Sequence, residues 1–376
     1  MNWKTCGIFA GLCALLLRFI FSLSPEITET IYSRGIFVVI RYVLDYTIGL
    51  IPFPLLYPLI VLLFLVVIWK IGTWWRYRQK NTKKEAHKKT SWKKRMRAGL
   101  LAVAGGIGIV MALGYFIWGF NYWRLPIEKH LHLKLEPLDS NRIRSEAELA
   151  LKMMVHAKRK MTGTHFVWSN LETEVRGDLE RVLKSFHYPT PGRVRGRYLA
   201  PGQPAMYFGV SGFYNFFTGE AYVPATLLAM EIPFTLAHEM AHGYGFCEEG
   251  TANFLAYLTC LSSHNPLIQY SGCYHYFMYI SSDLYRVSSQ EYSTLLKQCP
   301  PDVSADVRAI QQNWARYRGF LMELGQVVND VYLKGQGIKE GVKSYNRLLV
   351  LVAAWKNSPL STKNVSNFNL TPIKTF

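Results

Sequence analysis

The chain has 376 residues, half of them apolar, and carries 43 Lys/Arg against 25 Asp/Glu. Residues 1–120 hold 16 of those bases and 4 of those acids, and this third is also the most apolar. The positive excess therefore belongs to the flanks of membrane segments, which excludes a nucleic-acid partner and leaves the lipid bilayer as the expected one.

Three membrane helices are predicted, at about 7–23, 50–69 and 98–120. Leu50 to Trp69 and Ala98 to Phe120 are 20 and 23 residues without a charge, enough to cross a hydrocarbon core of roughly 30 Å. Gly7 to Leu23 is shorter and contains Arg18, and with no small-residue cleavage site after it we read it as an uncleaved anchor in preference to a signal peptide. Residues 26–48 are apolar but include Glu26, Glu29, Arg34, Arg41 and Asp45; a helix in the outer interface, with these groups on its wet face, is expected there. The prolines of IPFPLLYP then bend the chain into the second span.

The loop 70–97 has 12 Lys/Arg and a single Glu, so it is expected to be cytoplasmic, with some capacity for anionic lipid. Counting spans from it puts the N-terminus inside and residues 121–376 on the extracytoplasmic side of a bacterial cell membrane. Within that domain, 121–190 reads as a helical lead-in. Asn141 to Met161 and Leu171 to Phe186 have apolar residues at three- and four-residue spacing. The following YPTPGRVRGRYLAPGQPAMYFGVSGFYNFFTGEAYVP is rich in Gly, Pro and aromatics, and predicts loops with a short hairpin. From Pro233 the helical period returns, broken at Asn265-Pro266, at Cys299 to Pro301 and at Lys334 to Gly337.

The stretch LAHEMAHGYGFCEEGTANF, Leu236 to Phe254, carries the chemistry. Pro233 suits a first helical turn and Gly243 a stop, so His238 and His242 lie one turn apart on one face and can share an ion. Glu239, one residue round, is placed to act as general base on a water. Hydrolysis needs a third ligand. A second helix starting near Glu248 would return its first turn to the metal helix, and Glu249 is favoured over Glu248 or a distant His275 because Asn253 follows it four residues later on the same face. Asn253, four residues beyond Glu249, would then accept a hydrogen bond from a ligand histidine. The expected cofactor is one Zn2+ and the expected substrate a peptide or protein.

Tyr214, Tyr222, Tyr274, His275 and Tyr276 are candidates to stabilise an oxyanion, and FYNFFTGEAY is a candidate edge for the substrate cleft. Of the four cysteines beyond the spans, a Cys247–Cys260 pair is improbable across an intervening helix, and free buried thiols are expected. Two other readings stand beside the peptidase. One is a non-catalytic zinc-binding sensor or scaffold, against which Glu239 argues. The other is an intramembrane protease, against which the charges Glu231, Glu248 and Glu249 argue.

HExxH followed by E-x-x-x-N resembles the glutamate-zincin metallopeptidases. The set GLIPFPLLYPL, FTGEA, PFTLAHEMAHGYGF, EEGTANFLAYLTC and GVKSYNRLL resembles the bacterial membrane-protein family known as domain of unknown function 3810, over most of the chain. The resemblance implies His238 and His242 as ligands and Glu239 as base, in a mainly α protein: three transmembrane helices, then an α-rich zincin-like domain with a small irregular or β segment. In that family an acidic pair follows the position of Glu249; this chain has Gly250 and Thr251 instead, which leaves Glu249 as the acidic position.

Overall fold

A computed structural model of the chain describes residues 2–81, 92–338 and 341–364. It is mainly helical, and three of its helices are long and apolar enough to cross a membrane. They are α1 (Trp3–Leu23), α3 (Leu56–Asn81) and α4 (Trp92–Ile117). The second begins six residues later than the charge-free run, because Pro52 and Pro54 keep the chain out of helix until Leu56. The flanks of the basic loop continue these helices, and its centre, 82–91, lies outside the described residues.

α1 and α4 pack closely through glycine. A Cβ at Gly7 would stand 2.2 Å from the Gly105 carbonyl oxygen, and one at Gly11 would stand 2.7 Å from the Gly108 Cα. Backbones that approach this closely gain dispersion contact, which in a bilayer would stand in for the missing hydrophobic drive between helices. α3 buries nothing of its apolar window against the rest of the protein.

Residues 25–46 are helical as expected, in three joined pieces: Pro25–Ile27, a π-helical Thr28–Ile36, and α2 (Phe37–Tyr46). The orientation is the reverse of the expected one. Glu29, Arg41 and Asp45 are buried, while Ile27, Ile31, Val39, Tyr42 and Val43 are exposed. The charges face the following domain because they find partners there. Glu29 pairs with Arg124 and Arg34, Arg41 donates to the Pro191 carbonyl, and Asp45 accepts from the Arg193 N–H. A charge paired in this way costs far less to bury than an isolated one.

The domain beyond the spans is built on α5 (Ser140–Lys160), α6 (Trp168–Ser185), α7 (Ile232–Gly243), α8 (Glu249–Ser262) and α9 (Pro266–Val287). α8 lies at the centre, in contact with α6, α7, α9 and α12 (Arg347–Lys356). Where loops and a hairpin were expected, a three-stranded sheet forms from β1 (Arg195–Leu199), β2 (Phe213–Asn215) and β3 (Glu220–Pro224). β3 is central, parallel to β1 and antiparallel to β2, so β2 is an edge strand. The parallel partner went unseen because its pairing spans more than twenty residues of chain. Further helices of the domain include α10 (Pro301–Ala315) and α11 (Phe320–Gly335).

The sheet is stapled to the start of α3, the second candidate span. Glu220 accepts from the Leu55 N–H and pairs with Arg197, the Tyr222 hydroxyl accepts from the Leu56 N–H, and Arg197 donates to the Ile51 carbonyl. None of the six cysteines is in a disulfide; Cys247, Cys260 and Cys273 are buried.

Candidate metal centre

Every residue of α7 is buried, so its polar side chains must meet partners inside the protein. Pro233 occupies its first turn. Its end is a Schellman turn: Phe246 N–H bonds the Ala241 carbonyl, Gly245 N–H bonds the His242 carbonyl, and Gly245 takes φ +83°. A side chain at Gly245 would be strained and would collide with Phe37 at 2.7 Å. Arg124 clamps this turn by donating to the Gly245 carbonyl while its other nitrogens hold Glu29. Trp118, one residue beyond the last span, donates its indole N–H to the His242 carbonyl at 2.8 Å.

α8 starts at Glu249, capped by Glu248, whose carboxylate accepts from the Gly250 and Thr251 N–H groups. That leaves Glu249 and Asn253 on the face turned to α7. The Asn253 side-chain oxygen lies 2.8 Å from His238 Nδ1, and its amide nitrogen donates to the Tyr345 carbonyl and the Tyr279 hydroxyl. Because a carbonyl only accepts, this fixes which end of the amide meets His238, and Nδ1 must carry the proton. His242 Nδ1 lies 2.7 Å from the Phe246 carbonyl, so it too is the donor. In the neutral rings both Nε2 atoms then carry a lone pair.

Those two lone pairs face each other at 3.1 Å, and the Glu249 Oε2 stands 3.1 Å from the first and 3.4 Å from the second. That oxygen is buried and has no conventional hydrogen-bond partner. Three acceptors this close repel unless a proton or a cation lies between them. Tetrahedral bonds of about 2.0–2.1 Å place ligand atoms about 3.3 Å apart, which matches all three separations, so the residues present fit a zinc ion. Among the described residues, this is the group of three that could hold a metal.

The electrostatics agree. Burial opposes the charge on His242, yet the facing Glu249 carboxylate pushes its pKa up to about 9. Burial works against ionised Glu249 as well, but the two histidines hold it well below the usual carboxylate range. Glu239 is pushed up by burial, opposed by the histidines and by a hydrogen bond from the Tyr214 N–H of β2. Gly212 makes room for it, since a Cβ there would stand 2.8 Å from Glu239 Oε1.

The four acidic and imidazole groups line a cleft of ≈660 Å3. Tyr214 and His275 also line it. His275 donates Nδ1–H to the Ser271 carbonyl, stacks on Phe234, and is held neutral by burial, its pKa lowered to about 4. Its free nitrogen is therefore an acceptor, unsuited to an oxyanion and outside the ligand triad. Tyr222 is consumed by Glu220 and the Leu56 N–H; Tyr274 and Tyr276 do not line the cleft, and Tyr276 bonds Glu146. Tyr345, Gly212 and Trp118 are in the site without having been predicted. Tyr345 lay within GVKSYNRLL, but nothing in its local sequence ties it to α7.

A family model described as a protein of unknown function, DUF3810, matches residues 32–353. The chain belongs to the DUF3810 family. Comparison with curated proteins and with solved structures finds no match. The family match spans the second and third candidate spans of this DUF3810 protein, the helix Pro25–Tyr46 with the exception of its first turns, and all the site residues.

Proposed function

We propose that this DUF3810 protein is a membrane-anchored, zinc-dependent peptidase that hydrolyses peptide bonds at the extracytoplasmic face. The reading is carried by one juxtaposition: the His238 and His242 Nε2 atoms converge with a Glu249 oxygen, and beside them stands a buried carboxylate that ligates nothing. A structural metal site has no use for Glu239.

His238, His242 and Glu249 would hold the ion, oriented by the Phe246 carbonyl and Asn253. Bound there, Zn2+ supplies Lewis acidity that makes a water acidic and polarises a carbonyl. Glu239 takes the proton from the attacking water and passes it to the amine as the C–N bond breaks, leaving a free carboxylate and a free amino group. Its raised pKa suits it to both halves of that transfer. Tyr345 lines the cleft and accepts a hydrogen bond from Asn329, so its own O–H proton is free to donate to the developing oxyanion. Edge strand β2 offers backbone to an extended peptide beside Glu239.

The orientation rests on the 12 Lys/Arg of residues 70–97, which favour the cytoplasmic side and put the domain outside. α7 has 12 residues, too few to span a bilayer, and lies outside the three candidate spans, which speaks against cleavage within the bilayer.

The test is zinc content per chain of the detergent-purified protein, with hydrolysis of a mixed peptide library. Wild type is expected to hold one zinc and Glu249→Ala to lose it. Glu239→Gln should keep zinc and lose hydrolysis; Tyr345→Phe should keep zinc and slow hydrolysis by about 100- to 1000-fold. A wild-type protein purified without chelator and free of zinc would refute the reading. Full hydrolysis by Glu239→Gln would leave a metal-binding protein in which Glu239 is not the base.

A further inference from the structure

The cleft is walled on one side by α11, and this helix is turned the wrong way for a helix in water. At 3.6 residues per turn its side chains divide into three arcs. Met322, Gly325, Asn329 and Leu333 face the domain: a Cβ at Gly325 would strike the Phe208 carbonyl at 2.1 Å, Asn329 holds Tyr345, and Leu333 is buried. Glu323, Gln326, Asp330 and Lys334 form a polar arc. The remaining arc, roughly 120° wide, holds Val327, Phe320, Val331, Leu324, Val328 and Leu321. All six are exposed, Phe320 at 74%, Val331 at 65% and Val327 at 60%.

The bilayer is the occupant that the surroundings select. Arg18, inside the apolar window of α1, donates to the Gly335 carbonyl at the end of α11, at 2.8 Å. Tyr115 of α4 reaches Gln336, and Tyr122, just past α4, meets Tyr332. Phe216 of the β2–β3 turn lies against Gly114 of α4. The C-terminal end of α11 therefore abuts α1 and α4 close to the ends that lead into the domain, and its six apolar residues stay exposed beside them. A helix with one apolar and one charged arc at such a height lies in the interface, its apolar side in the acyl boundary. Leu324, Val328 and Tyr332 also line the cleft, so an apolar path runs from that boundary to the metal ligands.

We infer that α11 seats its apolar arc in the bilayer that α1 and α4 cross, so that the cleft opens toward lipid and takes a polypeptide tethered in the same membrane, cut close to its anchor. The substrate class rests on the peptidase reading above; the seating of α11 does not.

Two measurements on the full chain in lipid nanodiscs test it. After Cys6, Cys13 and Cys299 are replaced by serine, a nitroxide is placed at Val331→Cys or at Glu323→Cys, and its collisions with oxygen and with a water-soluble nickel chelate are compared. The expected result is oxygen-dominated relaxation at 331 and nickel-dominated relaxation at 323. Nickel access at both sites overturns the seating, and shielding from both reagents at 331 overturns it in favour of a second copy of the chain.

In the second measurement, one mixed peptide library is offered free, with a palmitoyl anchor, or fused to a transmembrane helix. Cleavage of an anchored form is expected to exceed that of the free form by at least about tenfold, since confinement to the bilayer raises local concentration. The anchor that is preferred names the source. Val327→Glu with Val331→Glu should abolish this advantage while leaving cleavage of the free library unchanged. Equal cleavage of free and anchored libraries refutes the membrane substrate and leaves the peptidase standing. Cleavage of neither refutes the peptidase reading and the substrate class together, whatever the spin labels report about α11.

Discussion

Replacing Asn253 by alanine probes the site without touching a ligand. Asn253 is 1% exposed and holds three groups at once: the Nδ1–H of His238, the Tyr345 carbonyl and the Tyr279 hydroxyl. Losing the first frees His238 to turn and to adopt the other tautomer, which puts a proton where the metal needs a lone pair. Partners of this kind set metal affinity by about 10- to 100-fold, or about 1.4 to 2.7 kcal/mol. The two buried groups left behind should lower the stability of the metal-free fold by about 2 to 4 kcal/mol. Asn253→Asp separates the two effects. It keeps an acceptor for His238 but sets a carboxylate against the Tyr345 carbonyl, so zinc affinity should return toward wild type while stability does not. The assay is competition against a chromophoric chelator for zinc, with thermal unfolding of the metal-free protein alongside. A folded Asn253→Ala protein that binds zinc within twofold of wild type would refute the tautomer reasoning, as would an aspartate variant no better than alanine.

Zinc affinity should also depend on pH. In the metal-free protein His242 is protonated up to about pH 9, so binding must expel that proton, and apparent affinity should climb about tenfold per pH unit until then. A flat profile between pH 6 and 8 would contradict the raised pKa. Gly212→Val should push Glu239 off its position beside Tyr214, abolishing hydrolysis with zinc content unchanged; loss of zinc as well would mean that the strand had moved as a whole. Glu220→Ala leaves Arg197 and Tyr222 without their buried carboxylate and unpins Leu55, and should destabilise the domain by about 3 to 5 kcal/mol, read as a fall in unfolding temperature in detergent.

Much of the site was legible because its parts are local. His238, Glu239 and His242 are ordered by the pitch of a single helix, and Glu249 and Asn253 by the pitch of the next, so spacing alone put them on their faces. Glu248 could be read as a cap for the same reason, and two of the three long apolar helices announced themselves by length and absence of charge, while the first carries Arg18. The residues between 25 and 46 show where such reading ends. Their charges and apolar residues were visible, but a helix pattern reports two faces without saying which one meets protein. Arg124, the Pro191 carbonyl and the Arg193 N–H decide that, and they lie far along the chain.

α11 poses the same ambiguity in reverse, with its apolar arc outward. Tyr345, Gly212 and Trp118 enter the site from separate stretches of backbone, by contacts that carry no periodic signal. Local chemistry and helical period determined what kind of centre this chain can build. Only packing decided which long-range groups orient it, and where its cleft stands relative to the spans, because those depend on contacts between residues that no spacing relates.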